Sequence, residues 1–383
     1  MNRENTLDSI PIDLFLEIFS RLPTKSVGRC RCVSKQWVSF LGRQDFIELF
    51  LTRSSTRPRL LFALKPSGGG GEWFLYSSPQ TQNPYEKSIV VAADFHTKFP
   101  RSQNKGEDAS PVICNPSTGH CAILPKLKTD MQTRSYLGFD PIDKQFKVLI
   151  MMGIFNSERV HRILTLGTGK MTWRNIQCPF TEYPLLKGIC INGVLYYLAQ
   201  YIDERNHICY MIVCLDVRSE KFKFVDAICL FHQLINYKGK LGGINLNYNN
   251  GFPLNMWVLE DVEKQEWSKY VYSLCAESKV VKVNPKLSVV GMTATGDIVL
   301  SGKFISNPFY VFYFNPERNT LLSVEIKGLD YLGRVSVFVD HVEDLNVYDT
   351  KQLNSSIYAH LQQDRGMFES SNKFDALCLS DDD

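Results

Sequence analysis

Seven histidines, eleven cysteines and a run of four glycines are the residues of this 383-residue chain from which catalysis, metal binding or phosphate binding could be built. The histidines are His96, His120, His161, His207, His232, His341 and His360, and even the closest two, His341 and His360, stand 19 residues apart. None shares a local metal motif with another. The cysteines are odd in number and scattered from Cys30 to Cys378, with no C-x-x-C followed by a second pair or by histidines at zinc spacing. They read as reduced thiols of core or surface. Cys30 and Cys32 on one helix would lie about 200° apart, a poor arrangement for a shared metal. Gly68 to Gly71 are followed by Glu72 and Trp73, where a phosphate-binding loop needs Lys and then Ser or Thr, so this run predicts a flexible loop. There is no G-x-S-x-G, H-E-x-x-H, dinucleotide G-x-G-x-x-G, or H-x-E with a following P-C-x-x-C. The expectation is a non-catalytic chain with no metal and no cofactor. Any site would have to be assembled by the fold from distant positions.

What remains is binding chemistry, and it is concentrated at the N-terminus. Net charge is only +3, yet residues 1 to 59 hold ten Lys or Arg against six Asp or Glu. Arg21, Lys25, Arg29, Arg31, Lys35, Arg43, Arg53, Arg57 and Arg59 face only Asp45 and Glu48, a surface suited to nucleic acid or to an acidic protein. The same stretch is helical in pattern. On a wheel of 100° per residue, Leu14, Phe15, Ile18, Phe19 and Leu22 fall in a stripe about 140° wide, opposite Asp13, Glu17, Ser20 and Arg21. Pro11 suits the first turn and Pro23 ends the helix. Thr24 can cap a second helix carrying Val27, Cys30 and Val33; Ser34 can cap a third in which Trp37 and Leu41 stack at i, i+4. Asp45 to Ser54 gives a last short helical pattern. Short helices hide little surface among themselves, so this module needs a partner, either the rest of the chain or another protein.

Beyond residue 56 the chain reads as β. RLLFAL, FKVLIM, RILTL, VLYYLA, YMIVCL, NMWVL, KYVYSL, DIVLSG and FYVFYF are short β-rich runs separated by turn signals. Turns beginning near Asn115, Asp140, Gly167, Asn192 and Asp216 recur roughly every 25 residues, so two such units match one four-stranded propeller blade. Residues 57–345 would hold roughly six blades. The predicted fold is therefore mostly β with a small N-terminal α module. Its divisions are a helical module over 1–56, a β-propeller-like domain over 57–345, and a polar, mostly disordered tail over 346–383. Hydrophobic content of 44% and charged content of 22% are those of a soluble globular protein, and no apolar run approaches a membrane span. The N-terminus lacks a signal-peptide shape, which predicts cytoplasm or nucleus, or both.

The spelling goes further than the pattern. I-P-x-D-L-x-x-E-I-F-x-R-L-P-x-K-S-V-x-R-C-R-C-V-S-K-x-W, from Ile10 to Trp37, resembles the F-box, a three-helix module by which substrate receptors of SCF-type cullin-RING ubiquitin ligases hold their adaptor. N-P-S-T-G, GFDPIDKQFKVLIM, TWRNI, KGICINGVLYYLA, IVCLDVRSEKF, YKGKLGGI and MWVLEDVEKQEWSKY, in that order, resemble the F-box-associated (type 3) domain of a large plant receptor family. The resemblance implies a non-catalytic receptor. Its F-box would dock a Skp-family adaptor, and through it a cullin-RING core, by Ile10, Pro11, Leu14, Ile18, Leu22, Pro23 and Val27, with Lys25, Arg29 and Lys35 at the rim. The β domain would bring an unidentified target protein. Trp37 is expected to hold the third helix rather than touch the partner. Neither nucleic acid nor membrane is expected as a partner under this reading; the competing one is a nucleic-acid-binding protein using the basic helices as a helix-turn-helix.

Overall fold

The computed structural model describes residues 11–345, apart from 69–71, 82–87, 100–107, 110, 129–132, 154–158, 168–170, 186, 247–252, 275–286 and 330. The tail expected to be disordered over 346–383 lies outside the described residues, and so does Ile10. No helix among the described residues is long and apolar enough to cross a membrane.

Four helices come first: α1 (Ile12–Phe19), α2 (Thr24–Arg31), α3 (Lys35–Leu41) and α4 (Gln44–Ser55). Pro11 and Pro23 sit at the N-caps of α1 and α2, where a missing amide hydrogen costs little. The expected cap at Thr24 is not made. Thr24 is already helical and buried, and its hydroxyl has no partner. Ser34 does cap α3, accepting a hydrogen bond of 3.2 Å from the Trp37 backbone N–H. Val33 falls beyond the end of α2 and is 64% exposed.

The helices lead into a β-propeller of five blades. The first strands are β1 (Arg59–Pro66), β2 (Trp73–Pro79), β3 (Ser88–Ala92) and β4 (Asp94–Phe99). A thin stretch follows, with β5 (Asp108–Ala109), β6 (Val112–Cys114), β7 (Cys121–Ile123) and β8 (Leu127–Lys128). The second blade holds β9 (Thr133–Asp140), β10 (Gln145–Met152), β11 (Val160–Thr165) and β12 (Arg174–Ile176). The third holds β13 (Tyr183–Pro184), β14 (Ile189–Ile191), β15 (Val194–Ile202), β16 (Ile208–Asp216) and β17 (Phe222–Asp226). The fourth runs through β18 (Gln233–Tyr237), β19 (Lys240–Leu246), β20 (Pro253–Asp261) and β21 (Glu266–Ser273). The fifth contains β22 (Leu287–Met292), β23 (Ile298–Gly302), β24 (Phe309–Asn315) and β25 (Thr320–Lys327). The last strand, β26 (Gly333–His341), returns to pair with β1 and completes the first blade in the order β26-β1-β2-β4.

This corrects the expectation of about six blades. Among the described residues, 108–128 yields only two two-stranded ribbons, β5-β8 and β6-β7. Pro111, Pro116 and Pro125 punctuate that stretch, and each removes a ladder donor. Its apolar residues instead cover the flank of the second blade, where Leu124 and Leu127 join Val148, Ile150, Met152 and Leu164. Ring closure is doubled, because β3 leaves its sequence neighbours and pairs in parallel with β25 as a fifth strand of the fifth blade.

The core lies between blades. One layer joins the fourth and fifth through Ile244, Met256, Leu300 and Phe312, and another joins the fifth and first through Leu60, Phe62, Val311 and Val337. Alternation along β1, with Leu60, Phe62 and Leu64 fully buried, is the period-2 signature that makes such layers. The turn at Asn192–Gly193, with φ of 49° and 83°, is a two-residue hairpin that sets Ile191 opposite Val194.

Candidate docking surface

The amphipathic stripe of α1 proves wider than the core it serves, and it divides. Phe15 is 6% exposed and packs with Phe19, Leu22, Trp37 and Phe40 around Val27, Leu41, Phe46 and Phe50. Trp37 meets Phe15 edge-on at 5.3 Å and Phe19 edge-on at 4.9 Å. Leu14 and Ile18, on the other side of the stripe, are each 55% exposed. These two share one side of α1 at i, i+4, and Ile12 nearby is 40% exposed. Pro11, Pro23, Lys25, Arg29 and Lys35 are also exposed, and Leu22 is half-buried.

Val27 belongs with the inward set. It is 0% exposed, at the centre of the helical core, so no partner can reach it in the folded chain. Grouping it with the docking residues is corrected by this packing. Val33, expected on the packed side of the second helix, is exposed, and the exposed Ile12 and Val38, the latter 51% exposed, were not anticipated. Val33 lies in the turn after α2 and Val38 in the seven-residue α3, where periodicity over so few residues cannot distinguish inside from outside.

Most of the basic excess has structural work. Arg21 and Arg53 both pair with Glu17, and the hydrogen bond from Arg21 is the main reason the Glu17 carboxyl is held below its ordinary range. Arg43 pairs with Asp45 and holds its carboxyl down in the same way. Arg59 reaches Asp94 at 2.6 Å. Arg57 donates to the carbonyls of Ser20, Arg21 and Leu22, satisfying the C-terminal end of α1. Arg31 donates to the carbonyl of Leu41 at 2.6 Å and does the same for α3. A continuous cationic surface for a nucleic-acid backbone is thereby broken up, leaving Lys25, Arg29 and Lys35 as exposed cations around the apolar residues.

The helical module is also fastened to the propeller. Leu345, just past β26, is 2% exposed within the helical core. The Asp344 backbone beside it is held from both directions: its carbonyl accepts from the Asn115 side-chain amide at 3.0 Å, and its N–H donates to the Ser117 hydroxyl at 3.3 Å. Below the helices, Arg59 Nε donates to Ser77 Oγ at 2.7 Å, and that hydroxyl lies 2.7 Å from His96 Nε2. Burial pushes His96 down to about 4, helped by His341 and Lys25; burial pushes His341 down to about 4 as well. Along β1, this junction stands at the Arg59 end. At the far end Pro66 pairs with Gly333, and Phe304, Tyr331 and Leu332 are 59%, 45% and 67% exposed around it.

Residues 7–49 match the F-box domain family, and residues 59–342 match the F-box associated beta propeller domain family. F-box only protein 12 of Arabidopsis thaliana is 55% identical over 374 residues, an alignment covering 93% of this chain and 87% of that protein. A putative F-box protein of the same plant is 57% identical over 376 residues, covering 90% of this chain and 93% of that protein.

Proposed function

Because the chain belongs to the F-box proteins that carry an F-box associated β-propeller, we propose that it is a non-catalytic substrate receptor of an SCF-type cullin-RING ubiquitin ligase. The observation that carries the docking half of this reading is the exposure of Leu14 and Ile18 on a helix whose opposite apolar side, Phe15, Leu16 and Phe19, packs into the helical core. An apolar centre with Pro11, Leu22 and Pro23 beside it and Lys25, Arg29 and Lys35 at its rim has the composition of a protein interface. A Skp-family adaptor would cover it, with the lysines and arginine meeting acidic residues of that partner.

The propeller would hold the target. The apolar corner of Phe304, Tyr331 and Leu332 lies at the end of β1 remote from the helices, roughly 25 Å away at about 3.3 Å per residue. A target bound there is held clear of the adaptor. The receptor performs no bond chemistry in this scheme; it raises the effective concentration of a target lysine near a charged ubiquitin-conjugating enzyme. Such a receptor would work in cytoplasm, nucleus or both.

Co-expression with a Skp-family adaptor tests the reading. A stable complex on gel filtration, lost in Ile18→Asp while the propeller stays folded, is the expected result. An unbound adaptor together with salt-sensitive binding of duplex DNA would replace it with the nucleic-acid reading.

A further inference from the structure

Away from the docking surface, the fold assembles a group of metal-ligating side chains that no sequence motif announces. His161 on β11, Cys178 just after β12 and Glu182 just before β13 bring one ligand atom each to within 4.8 Å of one another. His161 and Glu182 are 3% and 2% exposed, and Cys178 is half-buried.

The hydrogen bonding of Glu182 is lopsided. His161 Nε2 lies 3.0 Å from Glu182 Oε1, and the Tyr197 hydroxyl donates to the same oxygen at 3.2 Å. Glu182 Oε2 is buried with no partner at all. Leaving a carboxylate oxygen out of water without a donor is costly, and such an orphan in a folded protein calls for an ion or a water that satisfies it. A cleft of about 220 Å³, lined by Arg159, Glu182, Tyr183 and Gln200 among others, adjoins Glu182 and supplies both an entry path and room for a water.

We propose that His161, Cys178 and Glu182 form a Zn²⁺ site, with a water from the adjoining cleft as fourth ligand. One nitrogen, one sulfur and one oxygen suit a borderline-soft cation and disfavour the oxygen-seeking Mg²⁺ and Ca²⁺. Tetrahedral zinc holds such ligand atoms roughly 3.3–3.6 Å apart, so a modest side-chain adjustment closes the present arrangement around an ion. The orphan Oε2 gains its partner. Tyr197, already on Oε1, becomes an outer-shell donor that orients the carboxylate. Burial pushes the Cys178 thiol up to about 11; coordination to the metal deprotonates it, releasing one proton to solvent as the Zn–S bond forms.

The position gives the site a structural task. His161 stands in the second blade, while Glu182 leads into β13 of the third and Tyr197 lies on β15 of the same blade. The metal would clasp the two blades at their junction and anchor the crossover of the chain between them.

The test uses the full chain, purified without a polyhistidine tag and without chelator, with and without its adaptor. Elemental analysis should give close to one zinc per chain after dialysis. Removal of zinc should lower the melting temperature, and Zn²⁺ should restore it. Replacement by Co²⁺ should produce an ultraviolet thiolate-to-metal charge-transfer band. Cys178→Ser, a near-isosteric change that leaves the packing intact, should abolish that band and reduce zinc retention at least tenfold. His161→Gln should reduce retention likewise. The proposal is overturned by a chain that retains less than a tenth of an equivalent of zinc and whose melting temperature does not respond to Zn²⁺. It is equally overturned if Cys178→Ser keeps the full zinc content, which would place the metal elsewhere.

Discussion

The division of the α1 stripe makes a sharp separation between binding and folding, and the pair Leu14→Asp and Val27→Ala probes it. Leu14 is 55% exposed in the free chain, so about half of its side-chain burial contributes to folding, on the order of 1 kcal/mol. A carboxylate at this position lies in the first turn of α1, where the helix dipole returns about 0.3–1 kcal/mol. The folding cost of Leu14→Asp is therefore about 1 kcal/mol or less, lower helix propensity included. Docking is another matter. Covering the exposed half of Leu14 is worth about another 1 kcal/mol, and burying an unpaired carboxylate under a partner costs several more. A loss of about 3–5 kcal/mol corresponds to an adaptor affinity weaker by at least a hundredfold.

Val27→Ala has the opposite signature. Removing two methyl groups from a site that is 0% exposed forfeits about 2 kcal/mol of stability, transfer and cavity together. The variant should melt a few degrees lower and, once folded, bind the adaptor within about threefold of the parent chain. Titration calorimetry with a Skp-family adaptor and thermal melts of the same preparations read both quantities. An unchanged affinity in Leu14→Asp would refute the docking surface, and a hundredfold loss in Val27→Ala at unchanged melting temperature would refute the burial argument.

Other consequences are measurable on the chain alone. Leu345→Asp places a charge in the helical core and should loosen α1 to α4 while the propeller persists, seen as protease cleavage confined to the first 56 residues. His96 and His341 are pushed down to about 4 when folded against an ordinary value near 6.5, so the unfolded chain binds more protons between those values. Their contribution to stability should be fully present above pH 6.5 and be lost as pH drops from 6.5 to 4, by at most about 3 kcal/mol per histidine; a flat denaturation midpoint across that window would refute this. Gly28→Ala should raise helical stability by about 1 kcal/mol, since a Cβ there meets nothing within 4 Å. Gly243→Ala should lower propeller stability by more than about 1 kcal/mol, because its Cβ would stand 2.4 Å from the ring of the fully buried Phe231; denaturant melts separate the two signs.

Much of the propeller was legible because its inner layers are written as apolar runs. VLYYLA and YMIVCL are β15 and β16, and FYVFYF is β24, each bounded by the turns the sequence marks. Blade number was not legible: a turn period counts segments, and the segment around Pro111, Pro116 and Pro125 makes ribbons too small for a blade. Long-range pairing was also hidden. Nothing local tells Ser88–Ala92 to cross to Thr320–Lys327, or Gly333–His341 to return to Arg59–Pro66, since each strand finds its partner only when the ring closes. On α1 a wheel gives the width of an apolar stripe but no direction for its two halves. Direction is decided by Trp37, Phe40 and Leu345, which lie 18 to 326 residues beyond Phe19 in the chain.

The reach of Leu345 into the helices bears on how a receptor of this kind can work. Bringing a target close accelerates ubiquitin transfer only if the distance between the two bound partners is held, since a loose joint dilutes the effective concentration over the volume it sweeps. Here the joint is made three ways. Arg57, between α4 and β1, binds the carbonyls that end α1; Leu345 fills the helical core from the far end of the chain; and the Asp344 backbone is tied to Asn115 and Ser117 on the propeller side. The last two depend on β26 having paired with β1, so the helices reach their full core only when the ring is closed. A chain with an unclosed propeller lacks the contacts of Leu345, worth about 2–5 kcal/mol, and presents a weakened docking face. In the receptor proposed above, adaptor binding would thereby be coupled to the folding of the domain that would hold the target, and a chain unable to hold a target would be at a disadvantage for the ligase.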